Sequence, residues 1–196
     1  MSLYQDHVKK WKNCQACDLC HGRGRIVLAR GSIPCQVLFI GEAPGPSEDA
    51  LGRPFIGPAG KELDRIIASV AIALGGLPSL AFTNLVACIP KDDDNNKFGE
   101  PPKPAIEACA GRLNEFVRLC QPKLIVCVGK LAAKHVYGQA QFSEVSDSSL
   151  SWLGEGEFLK FTEIIPPAAI IRAEISQRGL LVQRTVITLI DAFGDL

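Results

Sequence analysis

The run Gln36–Ile40 (QVLFI), closed by Gly41 and followed by Glu42-Ala43-Pro44-Gly45, decides the fold. An uncharged run of this length ending in glycine has the composition of a strand buried on both faces, as in parallel sheets. A Gly- and Pro-rich loop, Gly41–Gly60, comes next. A helical stretch, Lys61–Leu74, then places Leu63, Ile66, Ile67, Val70 and Leu74 on one face.

The same alternation continues outward. Leu80–Asn84 reads as a second strand, and Lys91–Pro102 as a polar, acidic loop. Pro104–Leu119 reads as a helix with Pro104 in its first turn. Lys123–Val128 is a third strand, Lys130–Tyr137 a helix, Phe158–Ile165 a fourth strand and Leu180–Phe193 a terminal helix. Strands alternating with helices predict an α/β fold around a parallel sheet. No internal repeat or long linker interrupts residues 1–196, so a single domain is expected. Such sheets bind ligands beyond the C-terminal ends of their strands. That rule singles out Gly41–Gly45, Asn84–Cys88 and Ile165–Arg172. The first of these is not a P-loop, because no Gly-Lys-Ser/Thr follows, and it is not a dinucleotide fingerprint.

A chain of 196 residues, 47% hydrophobic and 21% charged, has the composition of an ordered globular protein, which excludes disorder for most of its length. Its longest apolar stretches, such as Val70–Leu74 and Leu124–Gly129, fall far short of the ~20 residues of a membrane span. The first residues carry Asp6, Lys9, Lys10 and Lys12 and no apolar signal core, so a cytoplasmic protein with no membrane partner is expected. Basic residues number 21 and acidic residues 21, so net charge selects no partner. Its distribution is uneven. Lys9, Lys10, Lys12, Arg23, Arg25 and Arg30 make the N-terminal end basic, whereas Glu144, Asp147, Glu155 and Glu157 form an acidic stretch. A basic end suits phosphates or a solvated face.

Eight cysteines in a cytoplasmic chain argue for metal ligands or buried thiols rather than disulfides. Cys35, Cys120 and Cys127 sit in apolar surroundings and read as buried thiols. Cys14-x-x-Cys17 lies in a polar segment where two thiolates can face one metal or cluster. Cys88 and Cys109 are candidates to complete a four-thiolate site, Cys20 is a rival ligand, and both zinc and an iron–sulfur cluster suit the set.

Three segments carry a family resemblance: Gly41-Glu42-Ala43-Pro44-Gly45-x-x-Glu48-Asp49, Gly52-Arg53-Pro54-Phe55-Ile56-Gly57-x-Ala59-Gly60, and Thr83-Asn84. With Cys14-x-x-Cys17, Cys88 and Ile106-Glu107-Ala108-Cys109, and with Pro122–Val126, Gly129 and Ala132-Ala133, they resemble the iron–sulfur uracil-DNA glycosylases of family 4 over about residues 11–175. The resemblance implies a three-layer α/β/α sandwich around a four-stranded parallel sheet. It implies a monomer acting on DNA and a structural [4Fe–4S] cluster on Cys14, Cys17, Cys88 and Cys109, leaving Cys20 spare. The Asp92-Asp93-Asp94-Asn95-Asn96 stretch then reads as an insertion.

Catalysis in such enzymes requires the base to leave the stack, enter a pocket and lose its bond to the sugar. By position, Phe55 stacks on the flipped base and Asn84 reads its edge, an amide being both donor and acceptor. Backbone N–H groups of Gly41–Ala43 cradle a base carbonyl, and Glu42 positions water and stabilises the sugar cation. Glu48 and Asp49 close the pocket or orient its loop. Arg172 meets a phosphate or wedges the duplex, and Arg23, Arg25 and Arg30 add phosphate contacts. One motif departs from the family. His-Pro-x-Tyr is expected after the fourth strand, and here Pro166 and Ala169 stand where the histidine and tyrosine belong. The chain's histidines are His7, His21 and His135, so no shift of alignment restores one. Two readings follow: a pocket widened for a modified pyrimidine, as in viral DNA, or an iron–sulfur DNA-binding protein with weak or no catalysis.

Overall fold

The computed structural model describes residues 2–91, 98–145, 159–194 and 196. In chain order the elements are α1 (Leu3–Trp11), α2 (Leu19–Gly22), β1 (Arg30–Gly31), β2 (Val37–Gly41), α3 (Pro46–Leu51), α4 (Pro58–Leu74) and β3 (Leu80–Asn84). They continue with α5 (Lys103–Cys120), β4 (Leu124–Val128), α6 (Lys130–Val145), β5 (Lys160–Ile164), α7 (Pro167–Arg172) and α8 (Ile175–Gly194).

The sheet order is β1-β3-β2-β4-β5. The four longer strands are parallel, in a register that sets Gly41 beside Asn84 and Ile40 beside Cys127. All five residues of β2 and of β4 are buried, as strands covered on both faces require. Side chains alternate between two cores. Leu38, Ile40, Ile125 and Cys127 meet Leu113, Phe116 and Val117 of α5 and Ala132, Ala133 and Val136 of α6. Val37, Phe39, Phe82 and Val126 meet Leu63, Ile66, Ile67 and Val70 of α4, Ile170 of α7, and Leu189 and Phe193 of α8. The result is the expected three-layer α/β/α sandwich.

The expected four-stranded sheet gains a fifth strand, β1, which pairs antiparallel to β3 through Arg30–Phe82 and Gly31–Ala81. Two residues have no periodicity to read. The contact depends on Gly31, at φ 106°, where an added Cβ would stand 2.3 Å from the Leu80 carbonyl oxygen. Helices α1, α2, α3 and α7 are also additions to the sequence reading. Within the expected Gly41–Gly60 loop, α3 follows the same grammar as α4. Each opens on proline and closes on a left-handed glycine, Gly52 at φ 70° and Gly75 at φ 71°. Helix α8 begins at Ile175, one turn before the expected Leu180. Phe158, the Asp92–Asn96 stretch, and Asp147, Glu155 and Glu157 lie outside the described residues.

The N-terminal segment is tied down at two places. On α1, the buried His7 lies 2.8 Å from a Glu115 carboxylate oxygen of α5, and Lys10 meets the other oxygen. Further on, the Asp49 carboxylate of α3 accepts from the Gly24 N–H at 2.8 Å and the Arg25 N–H at 3.3 Å, with Lys91 3.7 Å away. Asp49 is buried, and it anchors the segment rather than standing at the surface. Hydrogen bonds to a buried charge contribute ~1.5–3 kcal/mol, and their loss strands two N–H groups. Asp49→Ala is expected to lower the unfolding free energy in urea by about 3 kcal/mol. Asp64→Ala, which breaks the half-exposed Arg30–Asp64 pair, is expected to cost under ~1 kcal/mol.

Candidate functional site

The C-terminal ends of β2 and β3 are zipped together. Leu85 N–H donates to the Gly41 carbonyl at 2.8 Å, and Val86 N–H to the Glu42 carbonyl at 3.2 Å. Gly41 sits where an added Cβ would be 2.5 Å from Asn84 Oδ1 and 2.6 Å from Phe55 Cζ. Only glycine lets the amide and the ring close on the strand end from both sides. Among the described residues the Asn84 amide has no hydrogen-bond partner, although the residue is only 3% exposed. The residue lines the open space in front of it.

Among the described residues Phe55 is one of two non-glycine residues with positive φ, at 54°. The strain is held from two directions. Glu48 Oε1 accepts from the Ile56 N–H at 2.9 Å and the Gly57 N–H at 2.7 Å. Behind the loop, Gly60 packs so tightly that an added Cβ would overlap the Phe55 backbone. Adjacent acids on α3 thus point opposite ways, Glu48 to the Phe55 loop and Asp49 to the N-terminal segment.

These parts enclose a cleft of about 450 Å³, within the range of small-molecule sites. Gly41, Glu42, Ala43, Glu48, Phe55, Asn84 and Arg172 all line it; Asp49 does not. The Glu42 carboxylate stands near the Leu131 N–H at the start of α6, which favours its ionised form. Burial, seconded by the Glu100 carboxylate, nonetheless pushes its pKa above the ordinary range. Pro166 stands across Gly129 from Glu42: an added Cβ on Gly129 would be 2.9 Å from Pro166 Cγ and 3.0 Å from Glu42 Oε1. The wall formed by the start of α7 is Pro166, Pro167 and Ala168; Ala169 does not line the cleft. Arg172 is exposed at the rim, with no ion pair among the described residues. Two of the expected phosphate contacts turn inward instead. Arg23 donates to Cys88 Sγ at 3.3 Å, and Arg30 pairs with Asp64 and lies over the Phe82 ring at 4.0 Å.

A second, apolar cavity lies under the N-terminal segment. Cys14, Cys17, Cys20, Cys88 and Cys109 all line it, together with Arg23 and Arg112. None of the five is in a disulfide. Burial pushes the Cys88 thiol up to about 11 despite Arg23, and raises Cys17 as well. Among the described residues no three of these side chains converge on a single metal ion. The donor set still suits a thiolate-held centre, because soft ligands surround an apolar space and a guanidinium already touches one of them. Cys35, Cys120 and Cys127 are core residues away from this cavity.

Phe98, Pro101 and Pro90 at the cleft, and Arg112 at the thiol cavity, were not singled out from sequence. Arg112 carried a usable signal: it is the one charged residue in the buried stripe Ile106, Cys109, Leu113, Phe116 of α5.

Comparison with known proteins agrees with this geometry. Residues 29–186 match the family model of the uracil DNA glycosylase superfamily. A type-4 uracil-DNA glycosylase of Archaeoglobus fulgidus is 31% identical over 74% of this chain and 70% of that protein. One from Sulfurisphaera tokodaii is 33% identical over 81% and 71%, and one from Thermotoga maritima 30% identical over 79% and 76%. The crystal structure of SMUG2 from Pedobacter heparinus superimposes with a TM-score of 0.56 at 13% identity, over 82% of this chain and 76% of that one, a likeness of fold. Among the described residues no helix is long and apolar enough to cross a membrane. The chain belongs to the uracil-DNA glycosylase superfamily, and within it to the type-4 enzymes.

Proposed function

We propose that this protein flips a base out of DNA into the cleft between Gly41 and Asn84 and hydrolyses its N-glycosidic bond, leaving an abasic site. The favoured substrate is a pyrimidine bulkier than uracil, of the kind found in modified viral DNA, which points to antiviral defence beside repair. The observation that carries the reading is the cleft itself: Glu42, Phe55 and Asn84 converge on it, and Pro166 stands on its far wall where the family's histidine is expected. In this reading the Phe55 ring stacks on the base and the free Asn84 amide pairs with its edge. Backbone N–H groups of Gly41–Ala43 take up a carbonyl oxygen, and Arg172 at the rim meets a phosphate. The Glu42 carboxylate orients a water whose oxygen bonds to the sugar's anomeric carbon as the carbon–nitrogen bond breaks. Electrons of that bond leave with the base, and the water proton is released.

Proline has no side-chain donor and no N–H, so Pro166 cannot stabilise the charge on the departing base. A missing donor of that kind costs ~2.7–4 kcal/mol of barrier. The reading therefore favours a base that leaves more easily than uracil. The protein acts as a single-domain monomer in the cytoplasm. Cys14, Cys17, Cys88 and Cys109 hold a [4Fe–4S] cluster, which when bound ties the N-terminal segment to the loop after β3; Cys20 faces the same cavity and is the rival fourth ligand.

Glu42→Ala and Asn84→Ala are each expected to slow single-turnover base release by roughly 100-fold or more. DNA affinity is expected to survive, because phosphate contacts dominate it; unchanged rates in both would overturn the site. Glu42 acts as the anion and its pKa is raised, so activity is expected to fall on acidification at a pH above the ordinary carboxylate range. Glu100→Gln removes a neighbouring negative charge and is expected to move that acid limb to lower pH.

Pro166→His returns a donor and narrows the wall. The ratio of release rates, uracil over a bulky modified pyrimidine, is expected to rise at least ~10-fold. A well-folded variant with the parent ratio sinks the wide-pocket reading. Anaerobically purified protein is expected to be brown with about four irons per chain, lost on replacing Cys88 or Cys109 and retained on replacing Cys120. Colourless protein with one zinc would reject the cluster.

A further inference from the structure

Among the described residues Arg112 heads the largest fully buried side chains, at 1% exposure. Its Nη1 donates to Thr83 Oγ1 at 2.9 Å, and its Nη2 to the carbonyls of Asn84 and of Leu85, the latter at 2.8 Å. Every acceptor is neutral. No carboxylate among the described residues pairs with it, and its Nε–H is buried without a partner. A buried cation needs an anion, because solvation lost on burial is not returned by neutral acceptors alone. The carbonyl side of Arg112 is filled by the end of β3. Its other surroundings include the thiol cavity, which it lines together with Arg23 and the five cysteines.

Charge counting identifies what belongs there. Four thiolates on a core of charge 2+ leave a net charge of −2, whether the core is a cubane cluster or a single zinc ion. Arg112 and Arg23 supply the two positive charges that neutralise it. We propose that Arg112 is a positioning residue: it is the buried counter-charge of the thiolate-held centre and, through its fork on the Asn84 and Leu85 carbonyls, fixes the strand end that presents Asn84 to the base. The inference rests on the glycosylase reading for its second half and on the thiol cavity alone for its first. The metal centre thereby supports the base pocket by electrostatics as well as by tethering the N-terminal segment. Thr83 extends the same connection, since its hydroxyl receives Arg112 and donates to the Leu28 carbonyl at 2.8 Å.

The test uses the metal-loaded full chain and two variants. R112K keeps the charge and loses the planar fork, whereas R112M loses both. Loss of bound metal to a chelator reads the charge. R112M is expected to lose metal about 10-fold faster than the parent, and R112K at close to the parent rate. Single-turnover base release reads the fork: both variants are expected to be about 10-fold slower, with unchanged affinity for duplex DNA. A purely structural role for the hydrogen bonds would make R112K shed metal as fast as R112M, and that result overturns the counter-charge. Parent-like base release by R112K overturns the positioning of Asn84. Should R112M fail to fold, R112Q, which is uncharged but polar, takes its place in the metal-loss arm. If the parent releases no base from any DNA, the glycosylase reading fails by itself, and the metal-loss comparison still decides for or against the counter-charge.

Discussion

The site depends on one carboxylate, that of Glu48. Phe55 occupies a left-handed conformation that a residue with a Cβ adopts only at a cost. Such strain persists when surrounding structure over-determines it. Here two N–H groups on the loop, at Ile56 and Gly57, bond one oxygen of Glu48, and Gly60 admits the Phe55 backbone at a distance no side chain would allow. The ring then lies against Gly41, which itself tolerates nothing larger than hydrogen. Without Glu48 the loop has no reason to hold this shape, and the cleft loses one wall. The neighbouring Asp49 draws the N-terminal segment onto the same short helix. A six-residue helix thereby sets both the cleft and the path of the chain toward the thiol cavity.

How much of this was legible in the sequence follows from what kind of signal each part leaves. Buried parallel strands leave continuous apolar runs, and β2, β3 and β4 were read to within a residue. The amphipathic α4 and α5 leave a stripe, and both were read. Helix α3 leaves neither: with six residues and two buried acids it looks like a polar loop, although Pro46 at its start and Gly52 at its end mark its limits. Strand β1 is set by a backbone approach at Gly31, which has no periodic trace. The site residues beyond the strand ends were reachable because parallel sheets expose ligands there, and because the motif resemblance assigned them roles. Arg23 and Arg30 were misplaced by charge alone. A basic residue near a chain end suggests phosphate, yet a thiol for one and a carboxylate with an aromatic ring for the other lay closer in space.

The two cavities sit on successive stretches of one connection. Strand β3 ends at Asn84 in the cleft, and four residues later Cys88 lines the thiol cavity. All of residues 81–90 are buried, so the segment runs through the interior rather than over the surface. Displacement at one end is therefore felt at the other, because close-packed interiors transmit strain instead of absorbing it. Buried Arg112 holds two carbonyls in the middle of that segment.

The altered wall at Pro166 has a chemical consequence that follows from where charge develops. Breaking the glycosidic bond puts negative charge on the base and positive charge on the sugar. In the proposed mechanism Glu42 addresses the second charge, and its raised pKa reflects a partly desolvated position in which a carboxylate acts strongly on a cation. In that mechanism, with Pro166 in place of a donor, the first charge falls to the Asn84 amide and the backbone N–H groups of the Gly41 loop. In the proposed reading these groups face the carbonyl edge of the base. They can offset a missing donor only in part, since one preorganised donor accounts for ~2.7–4 kcal/mol. A base that carries its own electron-withdrawing substituent supplies the remainder, because a more stable anion leaves with a lower barrier. Such a substituent also needs space. In the proposed reading the wall at Pro166, which carries no donor, is also the one that gives the substituent room. In the proposed reading, room and leaving ability are thus two requirements met by one class of base.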